Sequence, residues 1–224
     1  MLELSLNKQS EPYELILLDN TKNQFRSAAQ ALNVGARQAK GDNLVFVHQD
    51  VEFIDSHVLL NIHRSLELLY KNAIVGAAGI MNEEGVVTSI VQGSSKQPAG
   101  EIVSSTLTEV QTLDEVLIGM PRDVYEKLKF DEEFLHGWHL YGVDLCLRAR
   151  SMGIKSYVIP LNCFHLSKGS LDFSYAKDLY RIIRKNRAHF PMIYTTCSQA
   201  PTSYFKAERY ILRLIWDHVV VGRK

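Results

Sequence analysis

Apolar residues in this chain fall into short β-favouring runs that alternate with helical stripes. Glu14-Leu15-Ile16-Leu17-Leu18 predicts a buried strand, closed by the turn and cap formers Asp19-Asn20-Thr21. Phe25, Ala28, Ala29, Leu32, Ala36 and Ala39 then share one helical face, and their small size lets a helix lie close to a sheet. Gly41-Asp42 turns the chain into Leu44-Val45-Phe46-Val47, a run short enough for a central strand covered on both faces. Strand, helix and strand together have the length of a right-handed parallel crossover. Residues 2–9 fit either a short strand or the end of a helix.

The alternation continues downstream. Asp55-Ser56 predicts the start of a helix through about Tyr70, and residues 74–80 (IVGAAGI) a buried strand rich in small residues. Residues 86–92 read as a returning strand, followed by a polar loop over 93–106, a length often found in binding loops. Strands are expected over 110–113 and 116–120, a helix after Pro121, a helix over 143–152 stopped by Gly153, and a last strand at 157–159. Two amphipathic helices, near 172–189 and 203–220, are expected to complete the chain. The second, with Tyr210, Ile211, Leu214, Ile215 and Val219, suits packing on the domain, with a partner or a membrane surface as the alternatives.

Bulk properties narrow the class more than they define it. With 224 residues, 46% hydrophobic and 22% charged, the chain suits one large α/β domain with a small appendage. Its 25 basic and 25 acidic residues cancel, so no global field points to nucleic acid. Cys146, Cys163 and Cys197 form no zinc-type spacing. Without a signal-peptide pattern or a long apolar run, a cytoplasmic location is expected, with peripheral contact at the inner face of a membrane as the variant.

The strand over 44–47 ends in His48-Gln49-Asp50-Val51-Glu52. In an extended chain His48, Asp50 and Glu52 point the same way. An imidazole and carboxylates at the carboxyl end of a strand suit a divalent cation, and open α/β sheets bind ligands at that end. A polar turn capping the next helix is the plainer alternative.

Several motifs in order resemble the family 2 glycosyltransferases of GT-A fold. They are the strand ending in Asp19, Asn33-x-Gly35, Ala39-x-Gly41-Asp42, His48-Gln49-Asp50, Phe130-Asp131-Glu132, Val143-Asp144-Leu145-Cys146-Leu147-Arg148 with Gly153, and His165. The sign of a variant is the HQD form of the Asp-x-Asp motif. The resemblance spans roughly residues 4–169. It implies a GT-A domain over 1–169, with a mostly parallel central sheet flanked by helices, and a C-terminal helical extension over 170–224. It also implies that the first strand of the fold is missing before Leu4.

The same resemblance implies roles. Asp50 and His165 would hold a divalent cation, Mn²⁺ or Mg²⁺, with a core histidine as the other reading of His165. His48 would join that cation, favouring Mn²⁺, or touch the nucleotide. Asp19 would bind the donor's base or ribose, or simply cap a helix. Asn33 and Arg37 belong to the donor side, although Arg37 equally fits a surface position. The family's Glu-Asp base motif falls here on Tyr141-Gly142, which offers no carboxylate. Asp144 is therefore the expected base, His139 the alternative, and a helix-dipole role the plain reading of Asp144. Trp138 and Tyr141 fit an aromatic platform for an acceptor sugar, or buried packing. The implied reaction is metal-dependent, inverting transfer from a nucleotide-sugar donor, a UDP-sugar first, to a saccharide or lipid-linked acceptor in surface glycan synthesis. A non-catalytic nucleotide-sugar binding domain is the alternative.

Overall fold

The computed structural model describes residues 1–167 and 171–217, so Val219 and the expected domain boundary at 169–170 lie outside the described residues. A five-stranded mixed sheet forms the centre, in the order Asn43–Val47, Leu117–Pro121, Ala73–Gly76, Lys155–Val158 and Thr108–Val110. The first, third and fourth of these run in one direction, and the other two run against them. A layer of two four-stranded sheets extends it. One contains Ala78–Ile80, Val86–Thr88, Thr112–Leu113 and Ile102–Val103; the other contains Val51–Phe53, Cys163–His165, Ile90–Gln92 and Gln97–Pro98.

Small residues explain how the run at 74–80 serves two sheets. A Cβ at Gly76 would stand 2.9 Å from Leu117 O, and one at Gly79 only 2.5 Å from Thr112 O, so neighbouring backbones can approach there. Ala77 breaks the run, and the chain passes from Ala73–Gly76 to Ala78–Ile80. Residues 86–92 divide in the same way around Ser89, whose N–H donates to Ala77 O. The expected loop at 93–106 contains two short strands.

Helices Ala28–Gln38, Tyr141–Ser151, Phe173–Asn186 and Tyr204–Ile215 share one apolar cluster with the sheet, while Val58–Leu68 belongs to a second. The first of these starts at Ser27, whose hydroxyl accepts from Gln30 N–H, and not at the Asp19-Asn20-Thr21 turn. The expected strand at 14–18 does not form. That segment has no ladder, and Tyr13, Leu15 and Leu17 are exposed. Among the described residues no strand pairs with the outer edge of Asn43–Val47, and a cleft of 1740 Å³ lies there, lined by residues 11–21 and 41–50.

Beyond residue 170 the chain is not helical throughout. A hairpin, Met192–Thr195 with Ser198–Pro201, sits between the two helices. Gln111 and Thr112 anchor it: Tyr194 N–H donates to Gln111 Oε1 (2.9 Å), and Thr112 Oγ1 donates to Tyr194 O (2.6 Å).

Candidate metal and donor site

The end of strand Asn43–Val47 is not extended past His48. His48 N–H donates to Val116 O (3.1 Å) and Val51 N–H donates to His48 O (3.3 Å), closing a turn. The turn leads into Val51–Phe53, which pairs antiparallel with Cys163–His165 and sets Val51 opposite His165. Leu166 N–H donates to Asp50 O, tying the two segments beyond that pair. Convergence thus comes from a turn and a distant strand, and not from alternation along one strand. One ligand atom each from His48, Asp50 and His165 lies within 4.8 Å of the others. Glu52 is outside this group.

The three side chains are held from behind. His165 Nε2 stands 3.3 Å from Asp50 Oδ1 and 3.2 Å from Ser167 Oγ, and Ser167 N–H donates to Asp50 Oδ2 (3.3 Å). Burial opposes ionisation of Asp50, yet the Ser167 hydrogen bonds and the His165 ring outweigh it and hold the carboxyl below its ordinary value. Burial lowers the pKa of His48, against the pull of Asp114, so its ring is neutral at neutral pH and has a lone pair to give. Two imidazoles and one carboxylate make a donor set suited to a borderline divalent cation such as Mn²⁺.

Tyr141 is buried, with its hydroxyl 3.2 Å from His48 Nε2 and 3.4 Å from Glu115 O. It borders the cleft but is only 5% exposed and packs edge-on to Phe130, which fits the buried-packing alternative better than an acceptor platform. Trp138 does line the cleft and is 47% exposed. Asp19 also lines the cleft, exposed, its carboxyl lowered by the hydrogen bond from Thr21 N–H (2.8 Å). His139 is half-buried, edge-on to Tyr175.

Three further expectations change. Asp144 is fully buried and both its oxygens are occupied, by Arg148 Nε at 2.7 Å and Lys185 Nζ at 2.8 Å. It does not line the cleft. With both oxygens held by cations and no face on the cleft, Asp144 joins elements and is not placed to meet an acceptor. Asn33 is buried and spends its amide on Phe130 O, Phe130 N–H and the Tyr125 hydroxyl, linking its helix to 125–132 away from any donor. Arg37 is exposed at the end of that helix, outside the cleft lining and near enough to Tyr125 to affect its hydroxyl.

A residue the sequence did not mark stands where the family's carboxylate is lost. Glu115 Oε1 accepts from Gly142 N–H (3.1 Å) at the start of helix Tyr141–Ser151. A Cβ at position 142 would meet Glu115 Cγ at 3.2 Å and Oε1 at 3.3 Å, so the glycine leaves the room that this carboxylate fills. Burial first, and the neighbouring Asp114 next, push Glu115 up to about 8. The strands expected over 110–113 and 116–120 leave Asp114-Glu115 as the link between them. Its signal was position, since it precedes the strand Leu117–Pro121 that pairs with Asn43–Val47, and Val47 faces Leu117.

Comparison with known proteins adds a fold and a family. A curated protein from Fuscovulum blasticum, described as "ATP synthase subunits region ORF 6", is 26% identical over 190 residues, covering 80% of this chain and 73% of that one. Among solved structures, GalNAc-T7 with UDP, GalNAc and Mn²⁺ superposes with a TM-score of 0.53 at 12% identity, over 70% of this chain. The likeness is one of fold, GT-A, and the chain spans about a third (34%) of that protein's length. A family description, glycosyltransferase-like family, matches residues 4–187. With most of its length matched, this chain belongs to the glycosyltransferase-like family.

Proposed function

We propose that the protein transfers a sugar from a nucleoside diphosphate donor, a UDP-sugar first, with a divalent cation held by His48, Asp50 and His165. The observation that carries this reading is the convergence of those three side chains within 4.8 Å, two of them, His48 and Asp50, lining a cleft that also contains Asp19. The solved relative with UDP and Mn²⁺ supports the same ligand pair. When bound, the cation would neutralise charge building on the departing diphosphate. The chain's own part is orientation. With Nε2–H of His48 donating to the Tyr141 oxygen and the Tyr141 O–H donating to Glu115 O, Nδ1 of His48 is left bare for a ligand bond.

For an inverting transfer, the acceptor oxygen bonds to the anomeric carbon as the carbon–phosphate oxygen bond breaks, and the acceptor proton needs a base. We assign that base to Glu115, with His139 the alternative; neither is among the residues lining the cleft, and Glu115 borders it through Tyr141, whose hydroxyl stands 3.4 Å from Glu115 O. Glu115, pushed up to about 8 by burial and Asp114 and with no cation paired to it among the described residues, has the proton affinity that uptake needs, whereas both oxygens of Asp144 are taken by Arg148 and Lys185. Trp138, exposed in the cleft, suits stacking on a saccharide or lipid-linked acceptor. Surface glycan assembly is the context this chemistry fits.

Incubation with a panel of UDP- and GDP-sugars plus Mn²⁺ tests the reading. Release of nucleoside diphosphate from at least one donor is expected. Mn²⁺-dependent nucleotide binding with no turnover of any donor or acceptor would instead assign a binding domain, which the absent Glu-Asp motif at Tyr141-Gly142 favours.

A further inference from the structure

Helix Tyr204–Ile215 has two apolar faces where a helix on a protein surface needs one. Its inner face, Ala207, Ile211 and Leu214, is buried in the main core cluster. Opposite that face lie Phe205, Leu212 and, at the helix end, Trp216, spaced seven and four residues apart and therefore in one line. They are 85%, 68% and 61% exposed. Solvent normally faces polar side chains at these positions, so water exclusion awaits a partner for this line.

The surroundings of the line specify the partner. Arg209 sits within it, and Lys206 and Arg213 flank it, all exposed, with Glu208 on the other border and Asp217 within 3.5 Å of Arg213. At the start of the helix the Arg187 guanidinium lies 3.8 Å over the Tyr204 ring, and its Nη1 has no acceptor among the described residues. Residues 171–217 hold twice as many basic as acidic side chains in a chain that is neutral overall. A ridge of Phe, Leu and Trp bordered by arginines is the pattern of a helix lying in a bilayer interface. Its rings enter the acyl boundary while cations meet anionic headgroups. A second protein would bury roughly 800 Å² of each partner, far more than a line of three side chains offers.

We propose that the outer face of helix Tyr204–Ile215 docks the protein on a membrane surface containing anionic lipids. The helix lies in the interface plane; it does not cross, and no helix among the described residues is long and apolar enough to do so. Docking of this kind would suit a lipid-linked acceptor, but the surface argument stands without the transferase reading.

Vesicle co-sedimentation of the full chain tests it, with phosphatidylcholine alone compared with phosphatidylcholine mixed with phosphatidylglycerol. Sedimentation with the anionic vesicles, weakened by salt, is expected. In a Trp138→Phe background, Trp216 emission should shift to the blue on binding. The triple variant Phe205→Ser, Leu212→Ser, Trp216→Ser should lose roughly tenfold or more in partitioning with little change in Tm, because these side chains are mostly exposed. Arg209→Glu should weaken binding to the anionic vesicles alone. Failure to sediment, or equal sedimentation of the triple variant, would overturn the proposal. So would self-association that the triple variant abolishes, since that would assign the line to a second copy. UDP binding measured on the same samples reads the donor site independently.

Discussion

At the scale of single residues, the proposed site divides into groups placed to meet ligands and groups that hold those in position. Tyr141 holds: Tyr141→Phe removes the hydroxyl that fixes the His48 ring, and Mn²⁺ affinity should fall by about 10-fold to 100-fold with the fold intact, as titration calorimetry can read. Glu115 has a pKa of about 8 against an ordinary 4.5, so folding favours its protonated form. That contribution to stability is complete below pH 4.5 and is lost as pH rises through 8. Glu115→Gln, which mimics the protonated group, should therefore gain in Tm relative to wild type as pH climbs over this range, while its transfer rate drops by roughly 100-fold or more. Asp144→Asn should behave in the opposite way. With Arg148 and Lys185 left without their shared anion, unfolding free energy should fall by about 3 kcal/mol, read by urea titration, with UDP binding preserved in the folded fraction.

At the scale of elements, sequence patterning located most helices and mistook some strands. The stripe Ala28, Ala29, Leu32 and Ala36 placed a helix correctly, because periodicity over three turns is a strong signal. Its start was misplaced, since Asn20 spends its side chain on Phe25 N–H within the loop and Ser27 takes the cap. Ser27→Ala should cost about 1 kcal/mol, measurable as a shift in urea midpoint. Glu14–Leu18 has the composition of a strand, but strand formation needs a ladder partner, and none of the described residues supplies one. His48 and Asp50 were legible as chemistry, and so was His165. What one dimension concealed is that a turn and the Cys163–His165 strand bring them together. Glu115 was hidden for the same reason: its partner, Gly142 N–H, is 27 residues away, and only the packing of helix Tyr141–Ser151 shows the vacancy it fills.

At the scale of the whole molecule, the cleft, the cation site and the C-terminal residues form one connected arrangement. Thr196 Oγ1 donates to Asp114, the neighbour of Glu115, so the hairpin reaches back to a residue 82 positions earlier. Leu179, Ile183 and Ile211 lie in the same core cluster as Val143 and Leu147. Sharing of a core predicts one cooperative unfolding transition, coincident by near-ultraviolet and far-ultraviolet dichroism, over the full chain. Two separated transitions would make residues 171–217 an independent unit. The exposed line on helix Tyr204–Ile215 gives this unit a surface role as well as a structural one.

The central claim is that His48, Asp50 and His165 hold a cation against a nucleoside diphosphate, and UDP binding by isothermal titration calorimetry tests it most directly. UDP should bind in the presence of Mn²⁺, release with EDTA, and show no Mn²⁺-dependent binding to Asp50→Ala or His165→Ala proteins of wild-type Tm. UDP affinity unchanged by EDTA, or by either substitution, would contradict it.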